Sequence, residues 1–420
     1  MKKKGSGTTL QEDRAAQNRD HGQRMAGLEL LRCVAMMMVV ALHYLGKGGL
    51  LADLTGENLG ALGTAAWLLE SFCIVAVNVY MLISGYFLCK TSFKLSRLVG
   101  LWMQGWVYSI GFGMLGALTG ILEEVTLDVH YLLTLVLPIS MEHYWFMTSY
   151  FFLYLLLPFV GMAAGRMTKG QLKAAVGSLL FVFCFVKSIL PLRLETDGQG
   201  YDCLWYLCVF LAAAYIRRFV LPAVGDQERD RGFGEVKGFT LKKRGCCLGM
   251  YVGGCLLIFG VTIVLREIYL CTGSLGRNLK MCLEYNHLLP FLAAVGLFGT
   301  FYSLRIQGKP AEIVNRVAPY TLGVYLLHEN LGLRYSWQNW FGAERLLAMA
   351  SADTKGGFVL VGALLLCTAG AVLCVFLCGI LVDMARSGIF RVLHRVFSHV
   401  PIYGRMVILT KKVDCIMKRD

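Results

Sequence analysis

Long apolar runs separated by short polar stretches make up most of this chain of 420 residues. About 20 helical residues cross the hydrocarbon core of a bilayer, so each run of roughly 18 to 25 apolar residues predicts a membrane span. The pattern predicts an all-α, polytopic membrane protein of about ten transmembrane helices. The predicted spans cover residues 28–46, 64–88, 98–120, 143–163, 173–191, 203–220, 246–265, 286–304, 318–336 and 357–382.

The segments outside these spans divide the chain further. Residues 1–26 are polar and predict a disordered tail, residues 27–384 form the predicted membrane domain, and residues 385–420 mix apolar and basic side chains. We expect the last segment to lie as an amphipathic tail on the inner membrane face. The run HYLLTLVLPIS is too short to span and predicts a re-entrant or interfacial piece. No cleavable signal peptide is expected, because a long polar tail precedes the first apolar run.

Composition and charge agree with a membrane location. The chain is 56% hydrophobic and 16% charged, whereas soluble domains average about 25% charged residues. If the N-terminus lies inside, 31 of the 41 Lys and Arg residues fall in inner segments and eight in outer ones. This bias predicts that both termini are cytoplasmic. It also explains the net charge of +14 by basic loops that meet anionic lipids, so nucleic acid is not an expected partner.

The fifteen cysteines do not indicate a metal site. The sequence has no C-x-x-C pair, and most cysteines fall within predicted spans, where a thiol behaves as a small apolar group. Cys271 and Cys282 share a predicted outer loop and could pair in an oxidising compartment. We therefore predict no metal.

The first span, within GLELLRCVAMMMVVALHYLG, retains three ionisable residues. Such residues are costly in a membrane and are candidates for function by default. Arg32 and His43 are eleven residues apart, which places them within about 20° of the same helix face and about 16 Å apart along the axis. Glu29 stands at the inner boundary, where it can pair with Arg32. Both Arg32 and His43 are therefore expected to face one interior.

The second span carries further polar positions. Glu70 and Asn78 are eight residues apart, about 80° round a helix, and could contribute to the same cavity. After this span, Lys94 and Arg97 lie three residues apart on one predicted helix face. This basic pair would suit a phosphate-bearing ligand, and it is equally compatible with an ordinary positive-inside cluster.

Several motifs in this order resemble the acyltransferase 3 family of membrane acyltransferases. They are Arg32 followed after ten residues by His43, MLISGYF at the end of the second span and KLSR at the start of the third. Two later segments, HYWFMTSYFFLYLLLPFV and APYTLGVYLLHENLGLR, resemble members that act on bacterial surface polysaccharides. The resemblance extends over all ten predicted spans. It implies a multi-pass protein of the bacterial cytoplasmic membrane.

The resemblance implies an activity and roles for residues. The donor would be cytoplasmic acyl-CoA, usually acetyl-CoA, and the acceptor a hydroxyl of an extracytoplasmic or lipid-linked glycan. His43 would be catalytic with Arg32 as its motif partner, and Lys94, Arg97 and Arg32 would bind the coenzyme. An imidazole can serve as general base, and a transient acyl-histidine is the alternative. The family often has Arg-x-x-Arg where this chain has Lys94 and Arg97, and lysine lacks the bidentate fork.

Later polar residues are secondary candidates for substrate binding. His328 and Glu329 are predicted to lie in the ninth helix, where neighbours point about 100° apart and so cannot face one partner equally. His328 could bind the acceptor, orient a second polar group or simply pack. His143 and Trp145 open the fourth span at the predicted outer surface, where an aromatic belt is expected and where Trp145 could also stack on a sugar.

Two other classes of function fit the same pattern. A transporter or flippase would also have about ten spans with internal charges, although the sequence shows no inverted repeat and no matched pair of broken helices. A membrane sensor or anchor would tolerate the loss of His43. The oligomeric state cannot be predicted.

Overall fold

The computed structural model describes residues 7–119, 128–141, 143–190, 198–222, 241–352, 356–397 and 401–417. Helices make up most of these residues, and no strand occurs among them, so the prediction of an all-α protein is confirmed. The α-helices are α1 (Gly7–Lys47), α2 (Gly60–Cys73), α3 (Ala76–Leu88), α4 (Leu95–Val107), α5 (Gly113–Thr119), α6 (Val129–Val136), α7 (Trp145–Arg166), α8 (Lys169–Leu180), α9 (Lys187–Ile189), α10 (Cys203–Tyr215), α11 (Leu241–Thr272), α12 (Leu288–Tyr302), α13 (Gly308–Val317), α14 (Thr321–His328), α15 (Trp337–Trp340), α16 (Ala343–Ser351), α17 (Gly357–Phe397) and α18 (Pro401–Ile416).

Nine helices within these described ranges are long and apolar enough to cross a membrane. The chain is therefore a polytopic membrane protein. Each of these helices overlaps one predicted span. Their bounds are Ala26–Lys47, Gly60–Leu88, Leu95–Gly116, Trp145–Arg166, Lys169–Ile189, Cys203–Val220, Lys242–Thr272, Gly276–Tyr302 and Gly357–Phe397.

The predicted ninth span, residues 318–336, is not one spanning helix. A short 3-10 turn, Ala318–Tyr320, leads into α14, which ends at His328, and turns follow. The helix ends here because Asn330 forms hydrogen bonds outside the regular helical pattern. Asn330 donates through Nδ2 to the carbonyl oxygen of Tyr108 at 3.0 Å, and its own carbonyl accepts from the backbone N–H of Leu333. The broken helix brings buried polar side chains into the interior of the protein.

Two helices cross the predicted boundaries between the membrane domain and the terminal segments. Helix α1 extends back to Gly7, through most of the tail predicted to be disordered, because that stretch contains no proline and is rich in residues with good helix propensity. Helix α17 likewise continues past residue 384 to Phe397 without a break. Residues 1–6 and 418–420, which belong to the two predicted tails, lie outside the described residues.

Close helix packing forms the interior. Gly85 is one reason: a Cβ there would lie 2.8 Å from the Cβ of Ala213, so α3 and α10 can approach only because the side chain is absent. By contrast, α8 and α11 turn most of their side chains outward, as helices facing lipid do. The possible pair of Cys271 and Cys282 is not formed: Cys271 is exposed, Cys282 is buried, and both thiols are free.

Helix α18 packs beside the start of α4. Ser96 donates from Oγ to Asp414 Oδ2 at 2.5 Å, and its backbone N–H donates to Asp414 Oδ1 at 3.3 Å. The C-terminal helix therefore lies near Arg97, the residue next to Ser96. The charge bias predicts that this is the cytoplasmic face of the membrane.

Candidate functional site

A cavity of about 660 Å³ opens between α1, α3, α4, α7 and α14. Arg32 and His43 both line it, as the eleven-residue spacing on α1 requires. Between them, Met36 and Val39 face the same space. The cavity thus extends along α1 from a basic end to an imidazole, over an axial distance of about 16 Å.

The basic end contains two arginines from different helices. Arg32 Nη1 lies 2.5 Å from Glu29 Oε2, which is the expected pairing, and Tyr80 Oη donates to the carbonyl oxygen of Arg32 at 2.8 Å. Arg97 lines the same space from the first turn of α4. Lys94 does not line it: this residue is the exposed N-cap of α4. The structure therefore brings Arg32 and Arg97 together and separates Lys94 from them.

At the other end, His43 contacts two neighbouring residues of the broken ninth segment. His43 Nδ1 lies 2.9 Å from His328 Nε2 and 3.2 Å from Glu329 Oε1. The prediction that His328 and Glu329 cannot face one partner equally is wrong, because both lie within 3.2 Å of His43 Nδ1. It assumed a continuous helix, whereas α14 ends at His328 and Glu329 begins the turn.

These contacts determine which nitrogen of His43 is available. His328 Nδ1 lies 2.6 Å from the carbonyl oxygen of Val324, which can only accept, so Nδ1 of a neutral His328 carries the hydrogen. His328 Nε2 is then an acceptor, and His43 Nδ1 must donate to it or to Glu329. The lone pair of His43 is consequently on Nε2, the nitrogen free of these contacts. An imidazole in this tautomer can accept a proton from a ligand in the cavity.

Glu329 is the centre of a buried charge cluster. Its side chain is only 2% exposed, and it pairs with Lys47 through Oε1 and with Arg334 Nη2 through Oε2 at 2.9 Å. The two cations outnumber the one carboxylate, so the cluster has a net positive charge, which by itself disfavours protonation of His43. Glu329 is the group of the cluster that would stabilise an imidazolium formed during a reaction.

The same cluster has the composition of a metal site. Ligand atoms of His43, His328 and Glu329 all lie within 4.8 Å of one another. However, both carboxylate oxygens of Glu329 are already paired with cations, which would repel a divalent ion. This arrangement favours a hydrogen-bonded catalytic group over a metal centre.

His143 lies behind the site, not at an exposed outer surface. It is 2% exposed, and its Nε2 accepts from the backbone N–H of Leu331 at 3.2 Å. Its Nδ1 lies 3.1 Å from Ser109 Oγ, and its carbonyl oxygen accepts from Arg334 Nη2 at 3.2 Å. His143 therefore supports the turn that presents Glu329, and it does not line the cavity.

Trp145, two residues after His143, does line the cavity. Its ring stacks on Tyr285 at a centroid distance of 5.8 Å and an interplanar angle of 16°. Tyr201 packs against the same indole at 4.5 Å. Much of the indole surface is thus already covered by protein aromatics, which leaves less of it for a sugar.

The two polar residues predicted from the second span do not line the cavity. Asn78 is fully buried, donates to the carbonyl oxygen of Tyr285 at 2.7 Å and accepts from Trp205 Nε1 at 2.8 Å. These bonds satisfy its amide and indicate a structural role. Glu70 lies in α2, which ends at Cys73, whereas Asn78 lies in α3. The predicted angle of about 80° between them assumes one continuous helix and therefore does not apply.

Sequence reasoning missed two residues of the site. Lys47 and Arg334 belong to the eight cations of the predicted outer segments, where the sequence suggests no role for them, but both pair with Glu329. A signal for Lys47 was present: it follows His43 by four residues, so it lies one turn further on nearly the same helix face. Arg334 had no such signal, because a turn of irregular backbone connects it to Glu329.

The comparison with known families gives one match. A family model described as an acyltransferase domain matches residues 25–383. No curated protein and no solved structure matches the chain. The matched residues include every residue of the cavity and of the charge cluster described above.

Proposed function

This chain belongs to the acyltransferase 3 family of membrane acyltransferases, and we propose that it is an O-acyltransferase of the bacterial cytoplasmic membrane. In this proposal the donor is acyl-CoA from the cytoplasm, with acetyl as the transferred group. The acceptor is a hydroxyl of an extracytoplasmic or lipid-linked glycan. The general activity follows from the family, and the donor, acceptor and sidedness are our proposals.

One observation carries this proposal: Arg32, Arg97 and His43 line a single cavity. Guanidinium groups form strong charge-assisted bonds with phosphates, so the basic end suits the phosphates of the coenzyme. A thioester at the end of a long arm could then reach His43. The basic end lies beside α18 and the start of α4, the face that the charge bias predicts to be cytoplasmic.

His43 supplies the chemistry of the proposed transfer. Nε2 accepts the proton of the sugar hydroxyl as its oxygen attacks the thioester carbonyl, and the C–S bond then breaks. The imidazolium returns the proton to the departing thiolate. Glu329, 3.2 Å from Nδ1, holds the tautomer and stabilises the positive charge that develops on the ring.

The basic end can be tested by comparing two cations that are three residues apart. Arg97→Ala should weaken acetyl-CoA binding by on the order of 1–3 kcal/mol, because it removes a charge-assisted phosphate contact. Lys94→Ala, the matched control, removes the same charge outside the cavity lining and should have a much smaller effect. The measurement is calorimetric affinity of the purified proteins for acetyl-CoA at one low salt concentration.

Equal losses of acetyl-CoA affinity in both variants would show that Lys94 and Arg97 act only through the positive charge at the start of α4. No loss in Arg97→Ala would place the coenzyme elsewhere. For the reaction itself, surface glycans of cells with and without the gene should differ by an alkali-labile ester. Identical glycans, together with altered uptake or export of a solute, would favour a transporter.

A further inference from the structure

The wall of the cavity formed by α4 contains a second polar residue. Gln104 follows Arg97 by seven residues, which returns to within about 20° of the same helix face and lies about 10 Å further along the axis. Both residues line the cavity, and Leu101 lies between them on the same wall. Gln104 therefore stands partway between the basic end and the level of His43.

The side-chain amide of Gln104 has a fixed orientation. Its Nε2 donates to Asp383 Oδ1 at 3.1 Å, and a carboxylate can only accept. Asp383 is 1% exposed and is itself held by Tyr108 Oη at 3.0 Å and by Arg386 Nε at 2.6 Å. Because one N–H of Nε2 is held by Asp383, the orientation of the amide is set, and Oε1 is its acceptor atom. Within the described part of the chain, Oε1 has no hydrogen-bond partner.

We propose that Gln104 Oε1 accepts a hydrogen bond from an amide N–H of the pantetheine arm of acyl-CoA. This inference rests on the proposed function and names a residue that recognises its donor. A pantetheine arm carries amide groups between the phosphates and the thioester. An amide N–H that enters a largely apolar passage without a partner costs free energy, and Gln104 supplies an acceptor at an intermediate position.

Asp383 acts in this scheme as a positioning residue. Without it the amide of Gln104 could rotate and present Nε2, a donor, which would meet the donor N–H of the arm unfavourably. The bond from Arg386 and the bond from Tyr108 keep the carboxylate in place. The oriented amide of Gln104 would distinguish a pantetheine arm from a hydrocarbon chain of similar width, because the hydrocarbon has no N–H donor.

The experiment compares two ligands on the purified full-length protein. Coenzyme A carries the arm, whereas adenosine 3′,5′-bisphosphate carries phosphates of the head without it. Gln104→Met keeps the length of the side chain and removes the amide. It should weaken coenzyme A binding about 3- to 10-fold, as expected for one neutral hydrogen bond, and should leave the affinity for the bisphosphate unchanged.

Gln171→Met is the matched control, because it makes the same substitution at an exposed glutamine that lies outside the cavity lining. It should leave both affinities unchanged. Unchanged coenzyme A binding by Gln104→Met, or an equal loss for both ligands, would overturn the assignment while the proposed function stands. A wild-type protein that binds neither ligand would instead overturn the proposed function, and this inference with it.

Discussion

Replacing His43 with alanine should lower the rate of acyl transfer by about 10²- to 10⁴-fold, the range for loss of a general acid or base. The affinity for acetyl-CoA should stay nearly unchanged, because His43 lies at the opposite end of the cavity from Arg32 and Arg97. A residue that acts only at the chemical step changes turnover and spares binding. The measurement is the turnover rate of folded, membrane-inserted protein beside its affinity for acetyl-CoA.

His130→Ala is a suitable control, since His130 is an exposed histidine outside the cavity lining. It should transfer acyl groups at the wild-type rate. The covalent alternative is tested with wild-type protein and labelled acetyl-CoA in the absence of acceptor. A general base leaves the protein unlabelled, whereas label on His43 would replace the base mechanism with an acyl-histidine.

Replacing Glu329 with glutamine should have the second large effect. The change leaves Lys47 and Arg334 without their shared carboxylate, and both are less than one-fifth exposed. Breaking a buried ion pair by removing one partner costs about 3–5 kcal/mol of stability. The rate should fall as well, because the imidazolium of His43 loses its compensating charge. Thermal unfolding in detergent and the transfer rate measure the two effects separately.

A double variant separates stability from catalysis at this position. Adding Lys47→Gln to Glu329→Gln restores the single excess positive charge of the wild-type cluster. We expect the double variant to recover much of the lost thermal stability while the transfer rate stays low. Recovery of both would show that Glu329 only balances charge, and a Glu329→Gln protein with normal stability and rate would contradict its place in the site.

The sequence was sufficient to predict most of the fold, because hydrophobic length is a direct physical requirement for crossing a bilayer. Within the described part of the chain, nine of the predicted spans overlap helices long enough to cross a membrane. The exception, residues 318–336, has enough apolar residues for a span, but its helix ends at His328. That ending depends on tertiary bonds, such as the one from Asn330 to Tyr108, which no local pattern contains.

The sequence could predict only those residues of the candidate site that lie on one regular helix. Arg32 and His43 are related by helical geometry alone, and the structure places them on one cavity. Glu329 required knowledge of where α14 ends. Arg334 required the path of an irregular turn, which spacing cannot predict, so its pairing with Glu329 was missed.

His143 illustrates the opposite error. Its position at the start of the fourth span suggested an outer surface, but neighbouring elements cover it and use it as a hydrogen-bond partner for Leu331. A polar residue at the end of a span can thus be exposed, catalytic or purely supportive. Only the packing of the other helices distinguishes these cases.

We propose that His43 acts as the general base when an acyl group passes from coenzyme A to a glycan hydroxyl within this cavity. The most direct test incubates proteoliposomes with acetyl-CoA labelled in the acetyl group and with lipid-linked glycan extracted from the source cells. Alkali-labile label in the glycan fraction is measured for wild-type and His43→Ala proteins that are equally folded. We predict that the wild-type protein labels the glycan and that His43→Ala loses nearly all of this activity. Equal labelling by both proteins, or no labelling by the wild-type protein, would contradict the account.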